Sequence, residues 1–119
     1  MDIGSIRVIC TKLPDVTEGI KWGADLCFMI SKKIFCAASL EGPLNASFKV
    51  TDEQFGEMST RPGIIPAPYV ARYKWVMVQK PSALTKKEWE FYIRQSYALV
   101  RAGLPKKKSV KKKSPKKKK

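Results

Sequence analysis

The sequence predicts an α+β fold, a two-layer sandwich in which a twisted antiparallel sheet packs against N- and C-terminal helices. Three observations predict it. Short apolar runs separated by turn-forming residues crowd the segment 19–50. An amphipathic stretch with helix start and stop signals occupies 85–104. Charge divides the 119-residue chain in two: ten lysines and no acid lie in 105–119, leaving 14 basic and 10 acidic residues in 1–104. The net charge of +14 therefore resides mostly in the last 15 residues. A body of this length buries roughly 60–70% of its unfolded surface, enough for a single core. The expected organisation is one domain, 1–104, followed by a disordered polylysine tail, 105–119.

Each element has a local reason. Residues 2–13 read as a short helix: Asp2 can cap it, Ile3, Ile6, Ile9, Cys10 and Leu13 recur near the helical period, and Pro14 ends it. Strands are expected at Gly19–Trp22, Leu26–Ile30 and Ile34–Ala38, with Ser31-Lys32-Lys33 as a hairpin connection. After the Glu41-Gly42-Pro43 turn, Ala46, Phe48 and Val50 alternate with Ser47 and Lys49, as in a half-buried strand. Thr51 and Gln54 form a capping box for a short helix that Pro62-Gly63 stops. Residues 62–68 hold three prolines and a glycine and read as a stiff loop; Trp75–Val78 is the next strand. Thr85 and Glu88 form a second capping box. Trp89, Tyr92, Ile93, Ser96, Tyr97, Val100 and Leu104 then follow helical spacing until Gly103 and Pro105.

The same residues resemble a known family. Val16-Thr17-Glu18-Gly19-Ile20-Lys21-Trp22-Gly23, Leu26-Cys27-Phe28 and Lys33-Ile34-Phe35 are similar to the MmcQ/YjbR-like family. Pro62–Tyr69, Arg72–Val76 and Ser96-Tyr97 extend the likeness over about residues 1–104, with the lysine tail outside it. The resemblance implies a CyaY-like fold, a bacterial source and DNA binding through wing-like surfaces. By the same resemblance, iron-binding CyaY-like proteins use an acidic helix and edge, and helix 2–13 has only Asp2 as an acid, so an iron-chaperone role is not expected.

Much chemistry is excluded by composition. The chain has no histidine, which removes Ser-His-Asp and Cys-His catalysis and His-ligated zinc. The three cysteines, Cys10, Cys27 and Cys36, lack zinc spacing and read as reduced, buried thiols in a cytoplasmic protein. With a two- or four-residue loop Cys27 and Cys36 would oppose each other; with a three-residue loop Phe28 would face Cys36. Glu18, Asp25 and Glu41 have no telling spacing and read as surface charge. No apolar run approaches the ~20 residues of a membrane span, and acidic Asp2 with no long apolar run after it argues against a signal peptide. No nucleophile, base and orienter come together, so the expectation is a non-enzymatic protein without cofactor or metal.

The expected partner is nucleic acid, chiefly DNA bound without sequence preference. Lys106, Lys107, Lys108, Lys111, Lys112, Lys113, Lys116, Lys117, Lys118 and Lys119 form a strong phosphate ligand through counterion release, and Ser114-Pro115-Lys116-Lys117 resembles a linker-histone repeat unit. The body adds Lys21, Trp22, Lys32, Lys33, Lys49, Arg72, Tyr73, Lys74 and Trp75, basic and aromatic residues interleaved as phosphate contact and base stacking require. Lys32 and Lys33 would form the tip of a wing, and a nucleoid-associated place in the cytoplasm would follow. The alternative is a small-molecule or protein-interaction module with a pocket near Trp22, Tyr69 and Trp75.

Overall fold

The structure, a computed structural model, describes residues 1–21 and 23–104; Trp22 and the expected disordered tail lie outside the described residues. Helix α1, Ile3–Thr11, is capped by Asp2, whose Oδ1 accepts from the Ser5 N–H at 2.8 Å. Strands β1 (Val16–Lys21), β2 (Asp25–Ile30), β3 (Lys33–Ser39) and β4 (Ala46–Lys49) follow, then α2 (Asp52–Met58), β5 (Ile64–Pro66), β6 (Trp75–Val78) and α3 (Lys86–Ala102). The six strands form one antiparallel sheet in the order β1-β2-β3-β4-β6-β5. Helices α1 and α3 cover one of its faces, giving the α+β sandwich predicted above. Both capping boxes form, Thr51 with Gln54 and Thr85 with Glu88.

The proline-rich segment departs from expectation: Ile64–Pro66 is a strand rather than part of a loop. It lies at the sheet edge, where Pro66 costs no ladder bond because no outer strand needs its missing N–H. Ile64 is buried and pairs with Val78. Gly63 makes the preceding turn at φ +89°, and a Cβ there would meet the Cβ atoms of Ala83 and Lys80 at 3.2 Å. Only glycine suits both the conformation and the space.

The β2–β3 hairpin carries a second surprise. Ile30 pairs with Lys33, so the loop is two residues long, and Ser31 (φ 50°) and Lys32 (φ 69°) both take the left-handed conformation of a type I′ turn. A regular two-residue hairpin would set Cys27 against Cys36. Instead Phe35 is an extra residue, a β-bulge, and Phe28 pairs with Cys36 while Cys27 pairs with Ala37. The two thiols consequently lie on opposite faces. The bulge also turns Phe35 into the helical layer, where its ring meets Tyr97 edge-on at 5.3 Å between centroids.

The core fills the space between sheet and helices. Ile6 and Cys10 of α1, and Trp89, Ile93 and Tyr97 of α3, pack with Phe28, Phe35, Phe48 and Val76. Phe48 touches Trp89 edge-on and stacks on Tyr92. Buried Ser96 has a specific task where β3 and β4 separate beside the bulge. Its hydroxyl donates to the Phe35 carbonyl at 2.5 Å and accepts from the Lys49 N–H at 2.9 Å, pairing two ladder groups that no longer reach each other. Tyr97 ties α3 to the start of β1 by donating to the Pro14 carbonyl at 2.7 Å.

Candidate functional site

Strand registers gather most of the basic and aromatic candidates at one end of the sheet. The Lys32-Lys33 hairpin tip, Lys49 at the end of β4, and Trp75 at the start of β6 share that end, since Ile30 pairs with Lys33, Cys36 with Phe48 and Lys49 with Trp75. Arg72, Tyr73 and Lys74 immediately precede β6, in a 3-10 turn and its left-handed cap. The Lys49 ammonium donates to the Tyr73 carbonyl, which fixes this turn to β4. Arg72 lies over the Tyr73 ring at 4.8 Å, and its Nη2 donates to the phenol oxygen at 2.9 Å, making an exposed cation–aromatic pair.

Two candidates stand apart. Lys21 lies at the opposite end of the sheet, paired with Asp25. Lys74 turns toward the helical side, its Nζ 5.1 Å above the Phe55 ring of α2, and is half-buried. Helix α3 relates the body to the lysine-rich sequence. Its first turns sit beside Pro81, which follows β6, through the Trp89 Nε1 bond to the Pro81 carbonyl at 2.9 Å. It then passes Lys49 at Ser96 and Pro14 at Tyr97, so it runs toward the hairpin end. Residues 105–119 therefore follow a helix directed at the end where Lys32, Lys33, Lys49 and Arg72 lie.

The helix-free face of the sheet holds a pocket of about 740 Å³. Ile34, Ala37, Trp75 and Met77 supply its apolar floor, and the Ala67–Val70 segment after β5 closes one side. Asp25, Ser39, Asn45 and Ser47 line its polar part. Of the three residues expected around a pocket, Trp75 and Tyr69 line it, and Trp22 is outside the described residues. Tyr69 is fully exposed at φ 69°, a strained conformation for a bulky residue. Asp25, read from sequence as surface charge, is half-buried in this pocket, and Asn45, Ser47 and Met77 had not been singled out. Their signal was present: Leu26–Ile30 and Ile34–Ala38 are apolar at every position, whereas a sheet with one wet face alternates.

The titratable groups near these features play structural parts. Burial, and then the Asp25 charge, push the Cys27 thiol up to about 11, so it stays protonated at neutral pH. Cys10 is raised further, by a hydrogen bond with Cys36 and by burial. Arg7 holds the Glu18 carboxyl below its ordinary range by a two-pronged ion pair, and Arg61 does the same for Glu88. Among the described residues, no three or more His, Cys, Asp or Glu side chains are grouped to hold a metal ion. None of the described helices is long and apolar enough to cross a membrane.

Comparison with solved structures finds the same architecture elsewhere. A Deinococcus radiodurans protein with a DUF419 family-model domain is similar at a TM-score of 0.79 and 23% identity, over 88% of this chain and 82% of that one. A Pseudomonas syringae protein is similar at a TM-score of 0.70 and 23% identity, over 85% of this chain and 100% of that one. No curated protein matches in sequence. The YjbR family model matches residues 11–99, the span from the end of α1 to the last turns of α3, and the chain belongs to the YjbR family.

Proposed function

We propose that this YjbR-family domain is a non-enzymatic, cytoplasmic DNA-binding protein that holds the phosphate backbone through its lysine-rich C-terminal sequence and the hairpin end of its sheet. The observation that carries the reading is the convergence of charge. Ten lysines follow a helix directed at the sheet end that bears Lys32, Lys33, Lys49 and Arg72. Ten lysine charges would release counterions from a polyanion, and the exposed Arg72–Tyr73 pair offers a surface for an unpaired base to stack on. Phosphate contacts of this kind fix position without reading sequence.

The test is a fluorescence-anisotropy titration of the full chain on labelled duplex and single-stranded DNA. It is repeated with all lysines of 106–119 changed to Gln, and with Lys32, Lys33, Lys49 and Arg72 changed to Gln together. The reading expects the tail variant to lose most of the affinity and the body variant to lose a smaller share. Equal competition by heparin would reduce the activity to adhesion to any polyanion. Absence of binding by the full chain at low salt would overturn it.

A further inference from the structure

We propose that the pocket on the helix-free sheet face is a binding site for a small organic cation, a flat apolar body bearing a protonated nitrogen. The pocket's size, about 740 Å³, falls in the range of sites that enclose small molecules, and its composition follows their pattern of apolar walls with few convergent polar groups. The polar groups specify the sign of the ligand. Among the described residues, Asp25 is the one charged side chain lining the pocket, and it takes part in no ion pair. The Asn45 amide and Ser47 hydroxyl line the same cavity and make no side-chain hydrogen bond among the described residues. Ser39, by contrast, is occupied: its hydroxyl donates to the Pro43 carbonyl and accepts from the Asn45 N–H.

A carboxylate, an amide oxygen and a hydroxyl lining one cavity offer acceptors to an N–H-bearing cation, and the carboxylate repels an anion. The apolar end suits a planar body. Ile34, Ala37 and Met77 form its floor, and the indole of Trp75, at the end of the pocket away from Asp25, offers a flat face to the apolar body. Lys21, opposite Asp25 in the register, is the nearest competitor for the carboxylate; it forms no ion pair with it and does not line the pocket. The Ala67–Val70 wall follows an edge strand and carries the strained Tyr69, so the side of the pocket is a short connector attached to the sheet at Ala67, whose N–H donates to the Trp75 carbonyl at 3.0 Å. Asp25 stands at the opposite end of the sheet from the proposed phosphate-binding end, and the pocket reaches toward that end only with uncharged residues, Ile34 and Trp75.

The test uses matched probes on the full chain: 2-naphthylmethylammonium, 2-naphthylmethanol and 2-naphthoate, titrated by calorimetry and mapped by backbone amide NMR shifts. The ammonium should bind about tenfold more tightly than the alcohol, since a charge-assisted hydrogen bond is worth at least the ~1.4 kcal/mol that a tenfold change represents. Shifts should centre on Ile34, Ser47 and Met77, and the naphthoate should not move them. Asp25→Asn should bring the ammonium down to the alcohol's affinity and leave the alcohol within about twofold, which also shows that the variant folds. Lys21→Ala should tighten the ammonium alone. Equal affinities for ammonium and alcohol, indifference of the ammonium to Asp25→Asn, shifts elsewhere on the domain, or no binding by any probe at millimolar concentration would each overturn the proposal.

Discussion

Ser96 shows how one side chain can hold a fold defect in place. The bulge at Phe35 leaves a carbonyl on β3 and an N–H on β4 without sheet partners, and one hydroxyl serves both. Ser96→Ala keeps the helix and nearly the same volume but strands two buried backbone groups. Leaving a buried group unpaired costs about 1–3 kcal/mol, so a loss of about 2–3 kcal/mol in denaturant unfolding is expected. Ser82→Ala, on an exposed turn before α3, should stay within about 0.5 kcal/mol. Equal midpoints for the two variants would mean that the strands part without needing the hydroxyl. This pairing explains why Ser96-Tyr97 stood out in the sequence without revealing its role. Helical spacing put both residues on the inner face of α3, but a hydroxyl's partner 61 residues away depends on a bulge that no local pattern announces.

At the scale of elements, the legible parts were those with local chemistry. The two capping boxes, the apolar stripe of α3 and the turn glycine Gly63 each report on residues within a few positions of themselves. Strand β5 was hidden because three residues next to prolines look like a loop until an edge position excuses Pro66. The hairpin turn was equally obscure, since Ser31-Lys32 adopts a conformation that Asn-Gly would favour. Replacing the pair by Asn-Gly should stabilise the domain by about 1 kcal/mol, since asparagine and glycine take the left-handed conformation at lower cost than serine and lysine, read as a higher denaturation midpoint. The join between α2 and α3 makes a pH-dependent prediction. Arg61 binds Glu88 and the Ala83 carbonyl, and the pairing holds the Glu88 carboxyl below its ordinary 4.5. A depressed carboxyl contributes stability above its unfolded value and loses it as pH falls through its folded one. Glu88→Gln keeps the capping box but not the charge. Its melting temperature should lie below the parent's at pH 6–7, and the gap should close as pH falls below 4.5. A gap that persists in strong acid would assign the effect to packing rather than to charge.

The whole molecule joins a body of modest charge to a concentrated polycation, and that division was legible in the sequence from counting alone. The pocket was not, because the all-apolar runs of β2 and β3 signal a second apolar face without saying which residues line a cavity on it. Asp25, the Asn45–Ser47 segment and Trp75 come from three segments that meet only through registers running from β2 to β6. The charge division sets a quantitative expectation for the proposed DNA binding. Each phosphate neutralised on duplex DNA contributes roughly −0.9 to the slope of log affinity against log salt. If half of the ten tail lysines engage, the tail's five contacts contribute about −4.5 to the slope, about a 500-fold loss from 50 to 200 mM salt, and the body contacts add to this. Exchanging the lysines of 106–119 for glutamine should flatten the slope to that of the few body contacts. Exchanging Lys32, Lys33, Lys49 and Arg72 should flatten it by at most about 3.6, one contact for each charge removed. The Asp25→Asn variant should leave both slope and affinity for DNA unchanged, since its carboxylate belongs to the other site. A tail variant that retains a slope near −4.5 would move the phosphate contacts to the folded body and make the hairpin end the principal interface.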